Sequence, residues 1–414
     1  MTDRRVDIAI AGGGLAGGLI ALALRRARPE LSVALIERGD AMGGNHRWSW
    51  FASDLPDGGE GLLAPFRKTS WQGYDVRFPT HERTLAAHYR SLSSEDFDAA
   101  LRRELAQDTL LPGREIANLD ARGITLADGS RVDARAVIDC RGFLPHDSLR
   151  GGWQVFMGRH LRTDAPHGLE RPVIMDAAVD QLSSGGAGGG AGGGAGGGAY
   201  RFVYVLPLGV DELFVEDTYY DDSPVLDRRA LSSRIDAYCR ENGWQGEILG
   251  GETGILPVIT GGSIAGYQQA HGTPGVAKAG AAGLMVHPLT SYTLPHAVET
   301  ALLIADNADL PGDQLAALLD AQARRVWKRT GFYRLLGQML FGAARPAHRY
   351  RVFERFYRLP EPLIERFYAA RSTFADRLRI LSGRPPVPVT RAIGALLSSR
   401  DPLTAPQQQK DPSP

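Results

Sequence analysis

The sequence has little of what marks several common protein classes. Cys140 and Cys239 are its two cysteines in 414 residues and form no CxxC pair, so we expect a reduced cytosolic chain without structural disulfides. No HExxH spacing and no GxxxxGK[ST] loop is present, so neither a metal site nor a P-loop is predicted. The apolar stretch Val6–Leu24 is interrupted by Asp7 and by spaced glycines. No other stretch is long enough to cross a bilayer, so any membrane contact is expected to be peripheral.

The overall charge balance conceals a basic block. The chain has 47 Lys and Arg residues and 47 Asp and Glu residues, yet the segment from Arg324 to Arg384 holds 15 of the former and 4 of the latter. Apolar residues recur there at i, i+3, i+4 spacing beside the arginines, which is typical of amphipathic helices. Two interpretations stay open: helices packed on the body with solvated arginines, or a basic face docked on anionic lipid. Nucleic acid is not favoured, because no recognised binding module accompanies the charge.

A glycine turn near the N-terminus follows a strand and opens a helix. The run from Gly12 to Gly17, GGGLAG, satisfies GxGxxG between the apolar segment Val6–Ala11 and the helical segment Leu15–Arg28, and Glu37 ends the next strand. In such a unit the glycines permit a tight turn, let a pyrophosphate approach the backbone and let the helix pack on the strand. The carboxylate can bond both ribose hydroxyls. The pattern predicts a dinucleotide site.

Two later segments favour FAD over NAD as that dinucleotide. The strand Arg135–Asp139 followed by Gly142 looks like the second fingerprint of FAD-binding proteins, in which a later strand returns to the same sheet. The segment Gly280–Pro288 precedes a helix whose first turn holds Pro295. That arrangement resembles the late FAD segment, where a helix N-terminus faces the flavin or its phosphates.

Five motifs resemble those of the bacterial flavin-dependent lycopene β-cyclases and occur in the family's order. They are GGNHRWSW at 43–50, RFVY at 201–204, FVEDTY at 214–219, HPLTSYTLP at 287–295 and LRILSGRPPVP at 378–388. The similarity extends from Val6 to about Pro388. Arg47 and Trp50 stand where the family usually has Thr and Phe, and Ser291 replaces a usual Gly. A positive φ at Ser291 would be unfavourable for a residue with a side chain.

The resemblance implies a cyclisation without net redox change. The ψ ends of lycopene would close into β-ionone rings, giving γ-carotene and then β-carotene, through a carbocation formed by protonation beside reduced FAD. Such a site must supply an acid, stabilise a cation and exclude water. The resemblance also implies NAD(P)H as the reductant and lycopene and other ψ-end carotenoids as substrates. We expect the chain in the cytoplasm, associated peripherally with the inner membrane.

The candidate catalytic residues are Glu216 and Asp217. The run FVED places a carboxyl at the end of an apolar strand, where burial would raise its pKa. Strand alternation points the two side chains to opposite faces, so one of them is expected to face the substrate. In the family, the first of the two matches the essential acid. Without the resemblance, two solvated carboxylates at a strand end would be an equal interpretation.

The remaining candidates would hold the cofactor or line the substrate pocket. Aromatic faces can stabilise a cation, although aromatic clusters also occur as plain core. The pocket candidates are Trp48, Trp50, Phe51 and Tyr219. The cofactor-binding candidates are Gly12, Gly14, Leu15, Ala16, Gly17, Glu37, Arg38, Gly44, Asp139, Gly142, Gly283, His287 and Pro288.

The predicted fold class is α/β: a Rossmann-type FAD-binding domain with an inserted β-rich substrate domain and a helical C-terminal region. We assign 1–70, 130–150 and 270–308 to the FAD-binding domain, and 71–129 and 151–269 to the substrate domain. Residues 309–390 form the basic, membrane-facing helical region, and 401–414 a disordered tail. The Gly/Ala tract at 183–199 lacks packing side chains and is either a domain linker or a flexible hairpin tip. We favour the hairpin because both flanks look like strands and loop tips tolerate insertions.

Two other functions remain open at this stage. An FAD-dependent monooxygenase or prenyl-lipid reductase would share the fold, but those proteins usually carry a Gly-Asp pair in the late segment, where this chain has GAAG at 280–283. A non-catalytic, membrane-associated carotenoid-binding flavoprotein would share the composition. The sequence is silent on oligomeric state, on the purity of the β ring type and on NADH against NADPH.

Overall fold

The computed structural model describes residues 4–183, 198–345, 348–383 and 388–404. Its strands are β1 (Arg4–Ala11), β2 (Val33–Ile36), β3 (Arg47–Phe51), β4 (Thr69–Trp71), β5 (Tyr74–Phe78), β6 (His81–Leu85), β7 (Tyr89–Ser93), β8 (Leu110–Leu111), β9 (Ile116–Asp120), β10 (Gly123–Leu126), β11 (Arg131–Asp139), β12 (His146–Thr163), β13 (Val173–Asp176), β14 (Leu182–Ser183), β15 (Gly198–Pro207), β16 (Glu212–Asp221), β17 (Gly246–Gly262), β18 (Val276–Lys278) and β19 (Pro402–Leu403). Its α-helices are α1 (Leu15–Ala27), α2 (Gly59–Leu63), α3 (Ser94–Glu104), α4 (Arg228–Glu241), α5 (Ile264–His271), α6 (Leu294–Asp306), α7 (Gly312–Arg329), α8 (Gly331–Ala343), α9 (Tyr350–Phe356), α10 (Glu361–Tyr368), α11 (Phe374–Leu381) and α12 (Val389–Leu397).

The first sheet carries the glycine turn. Its order is β8-β2-β1-β11-β10-β9, with β18 beside β11, and β1 pairs in parallel with both β2 and β11. Most of β1 and all of β2 are buried, as expected for parallel strands with both faces covered. Helices α1 and α6 pack against each other, and their apolar faces join this sheet in one core.

Part of the domain assignment is corrected by this sheet. Strands β8, β9 and β10 belong to it, and Phe97 and Leu101 of α3 lie in its core. Residues 94–126 were assigned to the substrate domain, whereas the structure joins them to the glycine-turn sheet. Short strands indicate their own conformation from sequence, but not the sheet edge that they join.

The second sheet is long and antiparallel over most of its width. Its path is β17-β12-β16-β15-β13-β5-β6, with β14 beside β15 and β19 beside β12. The 18-residue β12 pairs with β16 on one side and β17 on the other. Helix α4 covers one face, where Ile235 and Tyr238 pack on Val203 and Val215. The opposite face lines a cavity, and β3, β7 and β4 form a small third sheet nearby.

The basic C-terminal region packs on the second sheet through aromatic side chains. Tyr200 of β15 stacks on Phe353 of α9 with ring centroids 4.6 Å apart, and Tyr220 of β16 contacts Phe341 of α8. The helices of this region therefore pack on the body, while several apolar side chains of α11 and α12 stay exposed. Within the described ranges, no helix combines the length and apolar character that a membrane span requires.

Two low-complexity predictions meet the structure only in part. The flanks of the Gly/Ala tract pair antiparallel, with Leu182 opposite Ala199 in β14 and β15, as the hairpin interpretation predicts. Residues 184–197 of the tract lie outside the described residues. The predicted disordered tail is corrected at its start, because Pro402–Leu403 pair with β12 and the Leu403 side chain is fully buried. Residues 405–414 lie outside the described residues.

Candidate active site

A cavity of about 960 Å³ lies between the glycine turn of the first sheet and one face of the second sheet. We call the part around Gly12–Ala16 and Glu37 the glycine end. We call the part around Tyr204, Glu216 and Glu252 the carboxyl end. Residues from β3, from the segment 290–294 and from α10 complete its walls. A single space therefore connects the two kinds of candidate residue that the sequence singles out.

At the glycine end, backbone segments lie closer to one another than side chains would allow. Gly12 has φ +100°, and a Cβ there would lie 2.9 Å from the Cys140 carbonyl. A Cβ at Gly17 would lie 2.0 Å from the Gly12 carbonyl oxygen, so only glycine allows this contact between α1 and the turn. At Gly14, no described atom lies within 4 Å of a Cβ position, because this residue borders the cavity.

The first turn of α1 suits a phosphate. Leu15 and Ala16 line the cavity, and no side chain in the described part of the chain caps this helix. Uncapped N–H groups at a helix N-terminus, together with the helix dipole, favour an anion. The residues present at this end therefore fit a pyrophosphate.

Glu37 is fixed beside this turn. Its Oε2 accepts from the Gly13 N–H at 2.8 Å and its Oε1 from the Gly39 N–H at 3.0 Å. Glu37 and its neighbour Arg38 both line the cavity. A carboxylate in this position fits the ribose hydroxyls of a dinucleotide.

Most of the predicted cofactor-binding residues meet at this end, but five do not line the cavity. Gly17 serves packing, and Asp139 is buried in ion pairs with Arg141 and with Lys278, whose Nζ lies 3.1 Å from its Oδ2. In place of Gly283, Gly280 and Ala281 reach the cavity. The predicted residues that do line it are Gly12, Gly14, Leu15, Ala16, Glu37, Arg38, Gly44 and Gly142.

His287 and Pro288 are corrections to the predicted cofactor site. His287 is buried among aromatic rings, with its centroid 4.6 Å from Tyr333 and 5.7 Å from Phe367. Burial lowers the pKa of its imidazole to about 3, and its Nδ1 accepts from the Leu289 N–H at 3.3 Å. Val286 and Thr290 on either side line the cavity, whereas His287 and Pro288 do not. His287 therefore belongs to the packing beneath the C-terminal helices.

The carboxyl end is organised by the alternation of β16. Glu216 lines the cavity, whereas Asp217 points to the opposite face of the sheet. The Asp217 carboxylate is fully buried and forms ion pairs with Arg201 at 2.7 Å and Arg234 at 3.3 Å. Asp217, named with Glu216 as a catalytic candidate, is thus corrected to a structural ion pair.

Glu216 is held with its carboxyl toward the cavity. Its Oε1 accepts from the Thr218 hydroxyl at 2.6 Å, and Thr218 lies two residues along the same face of β16. Burial raises the pKa of the Glu216 carboxyl above its ordinary value, and the nearby Asp217 charge raises it further. A carboxyl in this environment retains a proton to higher pH than a solvated one.

Glu252 of β17 is a second cavity carboxyl that sequence reasoning missed. Its side chain is largely buried, and burial and the charge of Glu216 both raise its pKa. It lies in a glycine-rich stretch, GGETG, with no motif that marks it among the other acidic residues. Only the pairing of β17 with β12 brings it to Glu216.

The predicted aromatic pocket is half corrected. Trp48 and Phe51 line the cavity, whereas Trp50 is fully buried in the core of the first sheet. Tyr219 lies on the Asp217 face, beneath the Arg234 guanidinium at 5.6 Å from its ring centroid. The alternation that separates the two acidic residues separates Tyr219 from the cavity as well. The aromatic residues that line the cavity and were not predicted are Tyr89, Phe143, Trp153, Phe156, Phe202, Tyr204, Tyr220, Tyr292 and Tyr368.

Three hydroxyl groups form a chain along the cavity wall. The Tyr89 and Tyr204 hydroxyls are 3.0 Å apart, and the Tyr204 hydroxyl donates to Ser49 Oγ at 2.7 Å. Each polar tip is thereby satisfied by a neighbour. The rings of both tyrosines stay available as apolar wall.

Ser291 adopts the conformation that a glycine would favour. Its φ is +55°, and its Oγ donates to the Pro257 carbonyl at 2.6 Å. That bond ties the segment 290–294 to β17 and offsets part of the conformational cost. The substitution is therefore accommodated beside the cavity.

The chain is similar in sequence to proteins of one known family. The family model described as lycopene cyclase protein matches residues 7–393. A lycopene beta-cyclase from Pseudescherichia vulneris is 42% identical over 95% of this chain and 97% of its own length. One from Paracoccus sp. is 41% identical over 94% and 97%, and one from Pantoea ananas 38% over 95% and 98%.

Solved structures resemble the chain in fold. A geranylgeranyl bacteriochlorophyll reductase-like protein from Thermoplasma acidophilum has a TM-score of 0.58 at 13% identity, covering 96% of this chain and 99% of that chain. A flavin-dependent halogenase from Xanthomonas campestris has a TM-score of 0.52 at 14% identity, covering 82% and 78%. Together with the observed sheets and C-terminal helices, these likenesses confirm the predicted fold class.

Proposed function

The chain belongs to the lycopene cyclase family, and from this premise we propose that it closes the ψ ends of lycopene into β-ionone rings, forming γ-carotene and then β-carotene. One observation carries the assignment to this cavity: Glu216 presents a buried carboxyl, whose pKa is raised by burial, to an aromatic-lined space. A hydrocarbon substrate offers no polar handle, so an acid in an apolar cavity is the feature that its chemistry requires.

Glu216 is the proposed proton donor. Its O–H proton adds to the terminal trisubstituted alkene, and the resulting tertiary cation is attacked by the next double bond, which closes the ring. Loss of a ring proton then gives the new double bond. The product is an isomer of the substrate, so no electrons are gained or lost.

The aromatic wall protects the cationic intermediate. Phe156, Phe202 and Tyr220 come from neighbouring strands of the same sheet face and line the cavity beside Glu216. Their rings attract a cation through their π faces and exclude water that would trap it. This role replaces the one predicted for Trp50 and Tyr219.

The glycine end is the proposed FAD site. Gly12, Gly14, Leu15 and Ala16 would hold the pyrophosphate, and Glu37 the ribose. When bound in its reduced form, with NAD(P)H as the reductant, FAD supplies negative charge in a low dielectric without net consumption. The backbone and carboxylate of this chain orient that group and keep it next to the aromatic wall.

The proposed membrane contact is the outer face of α11 and α12. Phe374 and Leu397 are 76% and 84% exposed, and Leu378 and Ile393 are also exposed. Arginines of the basic region flank these side chains, so the face combines apolar insertion with attraction to anionic lipid. Tyr368 of α10, in the same region, lines the cavity. We therefore place the protein at the cytoplasmic side of the inner membrane, where its substrate dissolves.

Anaerobic incubation of the purified protein with lycopene in liposomes, FAD and NADPH tests the function. We expect γ-carotene and β-carotene by pigment chromatography, and little of either when NADPH is omitted. Unchanged lycopene under all conditions would instead indicate a pigment-binding protein. A product mass gain that requires oxygen would indicate a monooxygenase, and activity in protein without flavin would contradict the proposed cofactor.

Sedimentation with vesicles tests the membrane contact separately. A variant with Phe374→Ser, Leu378→Ser and Leu397→Ser should bind anionic vesicles several-fold less than the unaltered protein, because it loses the inserted side chains. These residues are exposed, so its thermal stability should change little. Equal binding by the two proteins would argue against this face.

A further inference from the structure

Glu216 and Glu252 occupy one row across three strands of the second sheet. Glu216 of β16 is opposite Gly158 of β12, and Gly158 is opposite Glu252 of β17. Directly opposed residues of antiparallel strands share a face, so both carboxyls point into the cavity, which both residues line. Strands two places apart are roughly 10 Å apart, a gap that two glutamate side chains can close.

Gly158 carries no side chain of its own in the row between the two glutamates. A Cβ at this position would lie 2.2 Å from the Phe214 ring, so the Phe214 ring of β16 occupies the space over the glycine. The Arg47 guanidinium lies over the other side of this region, 5.4 Å from the Phe214 ring centroid. The two carboxyls are close enough to interact, because the charge of Glu216 raises the pKa of the Glu252 carboxyl.

The charged groups around this pair come from several elements. Thr218 bonds Glu216, the Tyr204 phenol of β15 lies near it, and Asp217 sits on the reverse face of β16. The other neighbours act on Glu252: Arg47 of β3 lowers the pKa of its carboxyl, and the Glu95 carboxylate of α3 raises it. Within the described part of the chain, no salt bridge joins Glu216 or Glu252 to a cation. Two buried neighbouring carboxyls without a salt bridge to a cation cannot both be ionised at low cost.

We propose that Glu216 and Glu252 form a carboxyl pair that shares a single proton, with Glu252 as the positioning residue that retains this proton in the pair, from which Glu216 donates it. The inference rests on the proposed function and deepens it. When Glu216 gives its proton to the alkene, its O–H bond breaks and a C–H bond forms. After ring closure, a ring C–H bond breaks and the proton returns to the pair. The pair therefore ends each turnover with the one proton with which it began.

The pair makes a specific prediction about pH. In the unaltered protein, the last shared proton leaves late, because its loss would place two negative charges in contact. In Glu252→Gln, Glu216 titrates as a single buried carboxyl and loses its proton at lower pH. The alkaline limb of the rate against pH should therefore move down by about one unit or more, while the rate at low pH changes less. Glu252→Asp should lie between the two, and Glu247→Gln, an exposed position on the same strand, should match the unaltered protein.

Infrared difference titration reads the pair without turnover. The C=O band of a protonated carboxyl should disappear at lower pH in Glu252→Gln than in the unaltered protein, and Glu252→Asp should restore part of the difference. A band and a rate profile that keep their midpoints in both variants would overturn the proposal, as would an equal loss of rate at every pH. Pigment formation by the unaltered protein tests the proposed function separately, because the band titration does not depend on lycopene.

Discussion

The two ends of the cavity are built in different ways. The glycine end uses the backbone of one contiguous run, Gly12–Ala16, with Glu37 close by in sequence. The carboxyl end uses side chains from separate strands, and Glu216 and Glu252 meet only because β12 lies between them. One end is therefore determined by local conformation and the other by long-range register. The first tolerates few changes of backbone shape, whereas the second depends on which face each residue occupies.

The largest expected effect is at the carboxyl end. Glu216→Gln keeps the shape of the side chain but cannot donate an acidic proton, so the rate of β-carotene formation should fall by roughly 10²- to 10⁴-fold. Initial rates on purified protein and pigment analysis in a lycopene-producing host measure this. Glu212→Gln, earlier on β16 and half-exposed, is the matched control. If Glu216→Gln retained more than a tenth of the activity, Glu216 would not be the proton donor.

Asp217→Asn tests the reverse face of the same strand. It leaves Arg201 and Arg234 with less compensation in a buried site, so the free energy of unfolding should fall by about 3 to 5 kcal/mol. The rate per folded molecule should stay within a few-fold of the unaltered protein. Urea denaturation measures the first quantity, and Arg201→Met in the same background should recover part of the loss. A stable but inactive Asp217→Asn would restore Asp217 to the catalytic site.

His287 separates packing from cofactor binding. Its folded pKa of about 3 lies below the ordinary value, so its contribution to stability is complete above pH about 6.5 and is lost as the pH falls toward 3. By pH 4.5, proton binding to His287 in the unfolded chain should lower the free energy of unfolding by about 2 to 3 kcal/mol. Asn can supply the acceptor now provided by Nδ1, and His287→Asn should remove this slope. A loss of flavin binding with an unchanged slope would contradict the packing role.

Gly14→Val tests the backbone at the glycine end. The φ of Gly14 is −67°, which valine adopts, and no described atom lies within 4 Å of its Cβ position. The fold should survive while the side chain enters the space proposed for FAD, and affinity for FAD should fall about tenfold or more. Flavin absorbance and thermal melting measure both properties. The control variant Gly61→Val, at another open glycine, should bind flavin normally. Normal flavin binding by Gly14→Val would mean that the pyrophosphate binds elsewhere.

The sequence predicts the glycine end well because the motif is contiguous. A strand, a GxGxxG turn and a following acidic residue are each recognisable from local spacing, and the structure brings them to one cavity wall. The late segment was placed less well: Gly280 and Ala281 line the cavity, while His287 turns into an aromatic cluster. Leu284 adopts a positive φ just before this point, and leucine gives no warning of such a conformation.

The carboxyl end could be predicted only as far as alternation reaches. Period two separates Glu216 from Asp217 once β16 is recognised, and the same rule applied one step further excludes Tyr219 from the Glu216 face. Glu252 could not be found in this way. Its position depends on the register between β12 and β17, which one sequence does not contain. The tyrosines of β7, β15 and α10 reach the wall from elements far apart in sequence for the same reason.

Strand β12 runs along the cavity from the glycine end toward the carboxyl end. Gly142 borders the cavity just before the strand begins, Trp153 and Phe156 line its middle, and Gly158 lies opposite Glu216. An extended backbone advances about 3.3 Å per residue, so the separation between the glycine end and Glu216 is a length counted in residues. Adding or removing two residues within the strand would keep every side chain on its own face. It would nevertheless shift the glycine end relative to Glu216 by the length of two residues, which is more than the width of an isoprenoid methyl branch. The length of this one strand therefore sets the distance between the glycine end and the carboxyl end of the cavity.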